Sequence, residues 1–138
     1  MSSLNTIVLV EDDEGHAALF VKHLRRHGVQ NPIHHFATGG SALAYLDMPK
    51  TPVEAPRLIV LDINLPDMPG TEVLSHISTR PGVKDVPVVM LTSSDDKADL
   101  LLSFDLGCRD FMIKPLQMPR FVEVCARVGC LLSLEPRP

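Results

Sequence analysis

The chain has 138 residues, 45% of them hydrophobic, and a formal net charge of −4. That length supports a single domain with a sizeable core. There is no basic excess and no Lys/Arg-rich segment, which argues against nucleic acid, and the apolar runs are far too short to span a bilayer. The start, Met1-Ser2-Ser3-Leu4-Asn5-Thr6, carries no charged n-region and no cleavage-type apolar stretch, so a cytoplasmic location is expected. Cys108, Cys125 and Cys130 form no CxxC, and no histidine lies downstream of Cys108. They read as small buried or half-buried thiols, not as a zinc site.

Apolar periodicity switches repeatedly between strand-like runs and helix-like stripes. The first strand is expected at about Thr6 to Val10. A helix follows, with Ala17, Phe20, Val21 and Leu24 on one stripe and Gly28 at its end. Lys22, Arg25 and Arg26 on that helix read as a solvated face. A short second strand falls near Ile33 to Phe36. Thr38-Gly39-Gly40 is read as a break, after which Ala42, Leu43 and Leu46 carry a second helix. Met48 to Pro56 holds three prolines and reads as a loop. The third strand, Leu58 to Leu61, runs into Asp62, and Pro66-Asp67-Met68-Pro69-Gly70 is turn-rich. The third helix turns Val73, Leu74 and Ile77 inward, and Pro81-Gly82 closes it. The fourth strand is expected from Val86 to Leu91 with Pro87 near its start. Ser94 or Asp95 is expected to cap a fourth helix running to about Leu106, stopped by Gly107. The fifth strand is Asp110 to Ile113. The last helix is expected from Met118 to about Leu132, with Phe121, Val124, Cys125, Val128 and Leu132 on its inner stripe. The ending Glu135-Pro136-Arg137-Pro138 is expected to be mobile.

Five strands alternating with five helices define an α/β fold. Right-handed crossovers make the sheet parallel and cover both of its faces. The whole chain, residues 1–138, is expected to form one domain with a core of about 5–132.

Open α/β sheets place their chemistry at the carboxyl edge of the strands. Four signals share that edge: Glu11-Asp12-Asp13, Asp62, Thr92-Ser93 and Lys114-Pro115. Adjacent carboxylates at a strand terminus repel one another unless a cation lies between them. Mg²⁺, a hard cation held by one or two carboxylates plus water and phosphate oxygens, fits that need. The acids also suit a helix N-terminus, and Asp13 has a plain role there as an N-cap. Asp62 is the candidate nucleophile, able to form an aspartyl phosphate. Lys114 offers a point charge to a phosphoryl oxygen, and the Thr92 hydroxyl offers a hydrogen bond.

These residues resemble the receiver domain of bacterial two-component response regulators. The matching segments are Val8 to Asp13, Ile59 to Gly70, Val89 to Ser94, and Gly107 to Pro115. The resemblance covers essentially the whole chain and implies a flavodoxin-like (CheY-like), doubly wound five-stranded sheet in the order 2-1-3-4-5. It implies that Asp62 is the phosphoacceptor served by a sensor histidine kinase. It also implies that Glu11, Asp12, Asp62 and the Asn64 backbone carbonyl bind Mg²⁺. Thr92 and Lys114 take the switch and phosphate-contact positions, and the bond before Pro115 is cis. Phe111 takes the place of a switch aromatic that is commonly tyrosine. Without a hydroxyl it is open to two readings, a moving ring or a plain packed aromatic.

A narrower likeness is to the single-domain regulators that partner phytochrome-type photoreceptor kinases. It rests on Ala44-Tyr45-Leu46, the long loop before the third strand, Ser94, Ser103 to Gly107, Lys114-Pro115, Phe121-Val122-Glu123 and Val128 to Leu132. Such relatives often dimerise through the face built by the fourth helix, fifth strand and fifth helix, aided by the C-terminal arm. Leu100, Leu101, Leu102, Phe104 and Leu106 are more apolar residues than one inward stripe needs, consistent with a partner surface. No helix-turn-helix or catalytic domain follows, so output is expected through protein contacts. Two other readings stand beside this one. An aspartyl-phosphate phosphatase typically needs an acid two residues after the nucleophile, where Asn64 stands. A pseudo-receiver adaptor would have no need of the intact acidic pair, Asp62, Thr92 and Lys114.

Overall fold

Alternation along each strand sorts the apolar side chains onto two faces, and each face is covered by helices. The computed structural model describes residues 5–51, 54–93 and 95–134. The strands are β1 (Ile7–Val10), β2 (Ile33–Phe36), β3 (Leu58–Asp62), β4 (Val88–Thr92) and β5 (Asp110–Ile113). All pairings are parallel, in the order β2-β1-β3-β4-β5. The helices are α1 (Glu14–Arg26), α2 (Gly39–Asp47), α3 (Gly70–Ser78), α4 (Lys97–Asp105) and α5 (Met118–Val128). This is the flavodoxin-like fold expected above.

Ile7, Leu9, Leu58, Val60, Val89, Leu91 and Met112 point to one face. They meet Phe20 and Leu24 of α1 and Phe121, Val124 and Cys125 of α5, with Phe20 and Phe121 in edge-to-face contact at 5.7 Å. Val8, Val10, Ile59, Leu61, Val88 and Met90 point to the other face, against α2, α3 and the inner residues Leu100 and Leu106. Each fully buried side chain of this size contributes roughly 2 kcal/mol of burial. The three cysteines are buried free thiols, as expected. No helix among the described residues is long and apolar enough to cross a membrane.

Several boundaries differ from the expectation. Thr38 does not break the chain but caps α2, its hydroxyl accepting from the Ser41 amide at 3.1 Å, and Gly39 and Gly40 form the first turn. Pro87 lies just before β4, where its carbonyl accepts from the Ile59 amide. The N-cap of α4 is Asp96, not Asp95; Ser94 and the ending 135–138 lie outside the described residues. Helix α5 stops at Gly129, whose φ of 80° is the left-handed cap that glycine adopts freely. The apolar stripe through Leu132 misled because Cys130 and Leu132 still pack on the core after the helix has ended.

The segment after α5 returns along the molecule. Asn31, fully buried, donates to the Asn5 carbonyl at 2.7 Å and the Leu131 carbonyl at 2.9 Å, and accepts from the Ser133 amide at 2.6 Å. Val29 and Leu134 add an antiparallel bridge. One side chain thus ties the approach to β1, the loop before β2 and the C-terminal segment together.

Candidate functional site

Sheet register brings the chemistry to one level. Val10 pairs with Leu61, Asp62 with Leu91, and Thr92 with Ile113. Glu11 and Lys114, each one residue past its strand, flank Asp62. Backbone bonds hold them there: Glu11 N–H to the Phe36 carbonyl at 3.0 Å, and Lys114 N–H to the Thr92 carbonyl at 2.8 Å.

Asp62 and Glu11 are each only 2% exposed. Lys114 Nζ lies 2.5 Å from Asp62 Oδ2 and 3.1 Å from Glu11 Oε2. The Asn64 amide donates to Asp62 Oδ1 at 2.9 Å, and the Asp13 amide donates to Glu11 Oε1 at 3.2 Å. Burial, with Glu11 alongside, pushes the Asp62 carboxyl up to about 6, against the opposing pull of Lys114 and the Asn64 amide. For Lys114, burial works toward the neutral amine, but hydrogen bonding and attraction from Asp62 and Glu11 outweigh it and hold its pKa above the ordinary lysine range.

Carboxylate oxygens of Glu11, Asp12 and Asp62 lie within 4.8 Å of one another. Of these three acids, Glu11 and Asp62 are paired with the Lys114 ammonium. Glu11 Oε2 is buried and accepts no hydrogen bond, the ion pair with Lys114 aside. Hard oxygen donors and negative charge in excess of the one lysine paired with them fit a hard divalent cation. Asp13 fills the plain role foreseen for it, capping α1 by accepting from the His16 amide at 2.9 Å.

The remaining residues named from the sequence stand around this cluster. Thr92 is buried, but its hydroxyl donates to the Ser93 carbonyl at 2.9 Å and to Asp96 Oδ2 at 3.3 Å, with no hydrogen bond to Asp62, Glu11 or Lys114. The Lys114–Pro115 bond is cis. Phe111 lies away from the acids, half-buried, edge-on to Phe104 at 6.2 Å and under the Arg120 guanidinium at 5.2 Å.

Other residues of the site escaped the sequence reading. Gly70 is forced by space: a Cβ there would lie 2.2 Å from the Asp62 carbonyl oxygen and 2.9 Å from Ile63 Cα. Its amide donates to the Ile63 carbonyl at 2.7 Å, folding the loop back beneath Asp62. Asp67 accepts from the Gly39 and Gly40 amides at 2.9 and 2.8 Å, joining that loop to the start of α2. His35 Nε2 donates to the Glu11 carbonyl at 2.7 Å. Asp96 bonds Thr92, Ser93 and Asn64 together. Although burial works against its charge, these hydrogen bonds prevail and keep Asp96 below the usual carboxylate range.

A parallel sheet of this order with acids, a hydroxyl and a lysine at its carboxyl edge defines a receiver domain. Residues 7–126 match the response regulator receiver domain family, and the chain belongs to it. The response regulator Rcp1 of Synechocystis sp. is 34% identical over 110 residues, spanning 78% of this chain and 75% of that protein. Among solved structures, the bacteriophytochrome response regulator AtBRR superposes with a TM-score of 0.84 at 31% identity, covering 99% of this chain and 100% of that one. The phosphorylated cyanobacterial phytochrome response regulator RcpA gives 0.72 at 33% identity, covering 88% and 89%. The Mn²⁺-bound form of Rcp1 gives 0.72 at 29% identity, covering 97% of this chain and 99% of that one. Within the receiver family, the solved structures similar to this chain include bacteriophytochrome and cyanobacterial phytochrome response regulators.

Proposed function

We propose that the chain is a cytoplasmic response regulator receiver that accepts a phosphoryl group on Asp62 from a sensor histidine kinase of the phytochrome type. The observation that carries this reading is the placement of Asp62, buried at the strand edge with Lys114 on one oxygen and the Asn64 amide on the other. Glu11, Asp12, Asp62 and the Asn64 backbone carbonyl would hold Mg²⁺, which supplies neutralisation of charge on the transferred group. In the transfer, an Asp62 oxygen forms the new bond to phosphorus as the phosphorus–nitrogen bond of a phosphohistidine breaks. The electron pair leaves on the imidazole nitrogen, which takes a proton from water. Lys114 exchanges Asp62 Oδ2 for a phosphoryl oxygen, and Thr92 turns its hydroxyl toward another. The phosphorylated state of RcpA and the Mn²⁺ ion of Rcp1 support this chemistry by kinship.

A cavity of about 310 Å³ lies beside Lys114, lined by Leu9, Leu19, Phe20, Leu91 and Leu116. Its apolar wall, with Leu19 52% exposed, offers a kinase helix a seat next to the acceptor. With Asn64 where a phosphatase would carry its acid, the aspartyl phosphate is a signal and not a step in turnover. Output would pass through the α4-β5-α5 face to a second copy or another protein.

The test is intact mass after incubation with Mg²⁺ and acetyl phosphate. One phosphoryl group should add, and none to Asp62→Asn. Label that survives Asp62→Asn, or no label on the wild type, overturns the reading. Repeated hydrolysis of phosphoesters would instead identify an enzyme.

A further inference from the structure

Asp96 is the N-cap of α4, yet its side chain makes no capping bond to that helix. An N-cap aspartate ordinarily accepts from the amides two or three residues on. Here one oxygen, Oδ2, faces the site instead. It receives four donors: Ser93 Oγ at 2.9 Å, Asn64 Nδ2 at 3.1 Å, the Ser93 amide at 3.2 Å and Thr92 Oγ1 at 3.3 Å. Two of these come from adjacent strand ends beside the acceptor: Asn64 lies two residues beyond Asp62 of β3, and Thr92 ends the neighbouring β4.

We infer that Asp96 is a positioning residue that holds the Thr92 hydroxyl and the Asn64 carboxamide in their resting orientation, in competition with the phosphoryl group. This rests on the phosphoacceptor reading of Asp62. A threonine hydroxyl has one proton to donate. In the resting protein that proton is shared between the Ser93 carbonyl and Asp96, so bonding to a phosphoryl oxygen requires it to leave both. A carboxylate oxygen has about two lone-pair sites, so four donors on Oδ2 are more than it can serve well. The Thr92 bond, the longest of the four, is the readiest to be exchanged. The latch is thus weak enough to open and specific enough to bias the equilibrium. It also ties the start of α4 to the site, because Asp96 is the residue at which that helix begins. Loss of Thr92 from Asp96 changes the donor set on the residue at which α4 begins, so one exchange touches both the site and the start of that helix.

The probe is beryllofluoride with Mg²⁺, a phosphoryl mimic followed by fluorine NMR titration. Asp96→Ala and Asp96→Ser are compared with the wild type, the serine retaining a helix-capping oxygen. Both are expected to bind about five-fold more tightly, the factor for losing roughly one resting hydrogen bond. The same comparison is made in a Thr92→Ala, Asn64→Ala background, where the gain should shrink because no latch remains to be broken. A gain of undiminished size in that background assigns the effect to simple charge repulsion and overturns the proposal. So does an Asp96→Ser protein that binds like the wild type, which would assign the effect to helix capping. If the wild type itself binds no beryllofluoride, the phosphoacceptor reading falls and this inference with it. If the wild type binds and neither Asp96 variant differs, only the inference falls.

Discussion

Lys114 Nζ and Asp62 Oδ2, 52 residues apart in the chain, meet at 2.5 Å over the carboxyl edge of the sheet. The same ammonium is 3.1 Å from Glu11. Lys114 is therefore the internal counter-ion of two buried acids before any metal or phosphate arrives. Lys114→Ala should destabilise the metal-free protein by about 2 kcal/mol, since it leaves buried like charges facing each other, with the partial exposure of the lysine tempering the loss. Mg²⁺ should restore more stability to this variant than to the wild type. Thermal melts with chelator and with Mg²⁺ measure both; an equal Mg²⁺ response in the two proteins refutes the counter-ion role.

The raised carboxyl of Asp62 predicts a pH dependence. Its folded value of about 6 stands above the ordinary 3.8, so its contribution to stability is full below about 4 and is lost as pH rises through 6. Above that, the ionised group costs the fold on the order of 2 kcal/mol. Asp62→Asn has no such proton to lose. In chelator it should be more stable than the wild type at pH 7, with the two converging toward pH 4. Paired denaturant titrations across that window decide it, and a difference independent of pH would contradict the assignment.

Gly70→Ala places a methyl group against the backbone of Asp62 and Ile63, neither of which is the loose end of a side chain. The expected cost is about 3 kcal/mol, with weaker Mg²⁺ binding because the strand end itself must shift. Gly82→Ala, where no atom lies within 4 Å, is the matched control and should leave Mg²⁺ affinity unchanged.

Asn31→Ala removes three hydrogen bonds from a fully buried side chain and leaves their partners unpaired. A loss of about 2–3 kcal/mol is expected. Hydrogen exchange should quicken at Gln30 and Ser133, whose amides sit in the clasp. Unchanged exchange there would show that the C-terminal segment is held by other means.

Leu101 (69% exposed), Phe104 (42%), Ile113 (49%) and Val122 (48%) form an uncovered apolar surface over α4, β5 and α5. A dimer through that face should appear in sedimentation as concentration rises, and Phe104→Asp should shift it to monomer. A wild-type protein that stays monomeric at high concentration, with and without beryllofluoride, sinks the dimer.

The strands and the four chemical positions were legible because each apolar run ends at the same sheet edge. In a parallel sheet that places Glu11, Asp62, Thr92 and Lys114 side by side. Asp96 was not legible, since an aspartate before a helix reads as a cap and nothing local says that its carboxylate turns the other way. Asp67 and Gly70 read as turn residues, although their roles are set by contacts with Gly39, Gly40 and Asp62 that only the folded chain creates. Asn31 lies between the predicted elements, and its role too is set by contacts that only the folded chain creates. The end of α5 was available in Gly129, but a hydrophobic stripe that continued past it concealed the stop.

The Asn31 clasp gives the molecule two unlike poles. Asn5 and the segment from Leu131 to Leu134 gather where β1 begins, while Asp62 and its neighbours occupy the opposite end, about 15 Å away along strands of this length. A dye or tether attached at Leu134 would therefore sit at the pole away from the acceptor. Anchored by that end, the protein would present its acidic pole outward, open to whatever carries the phosphoryl group.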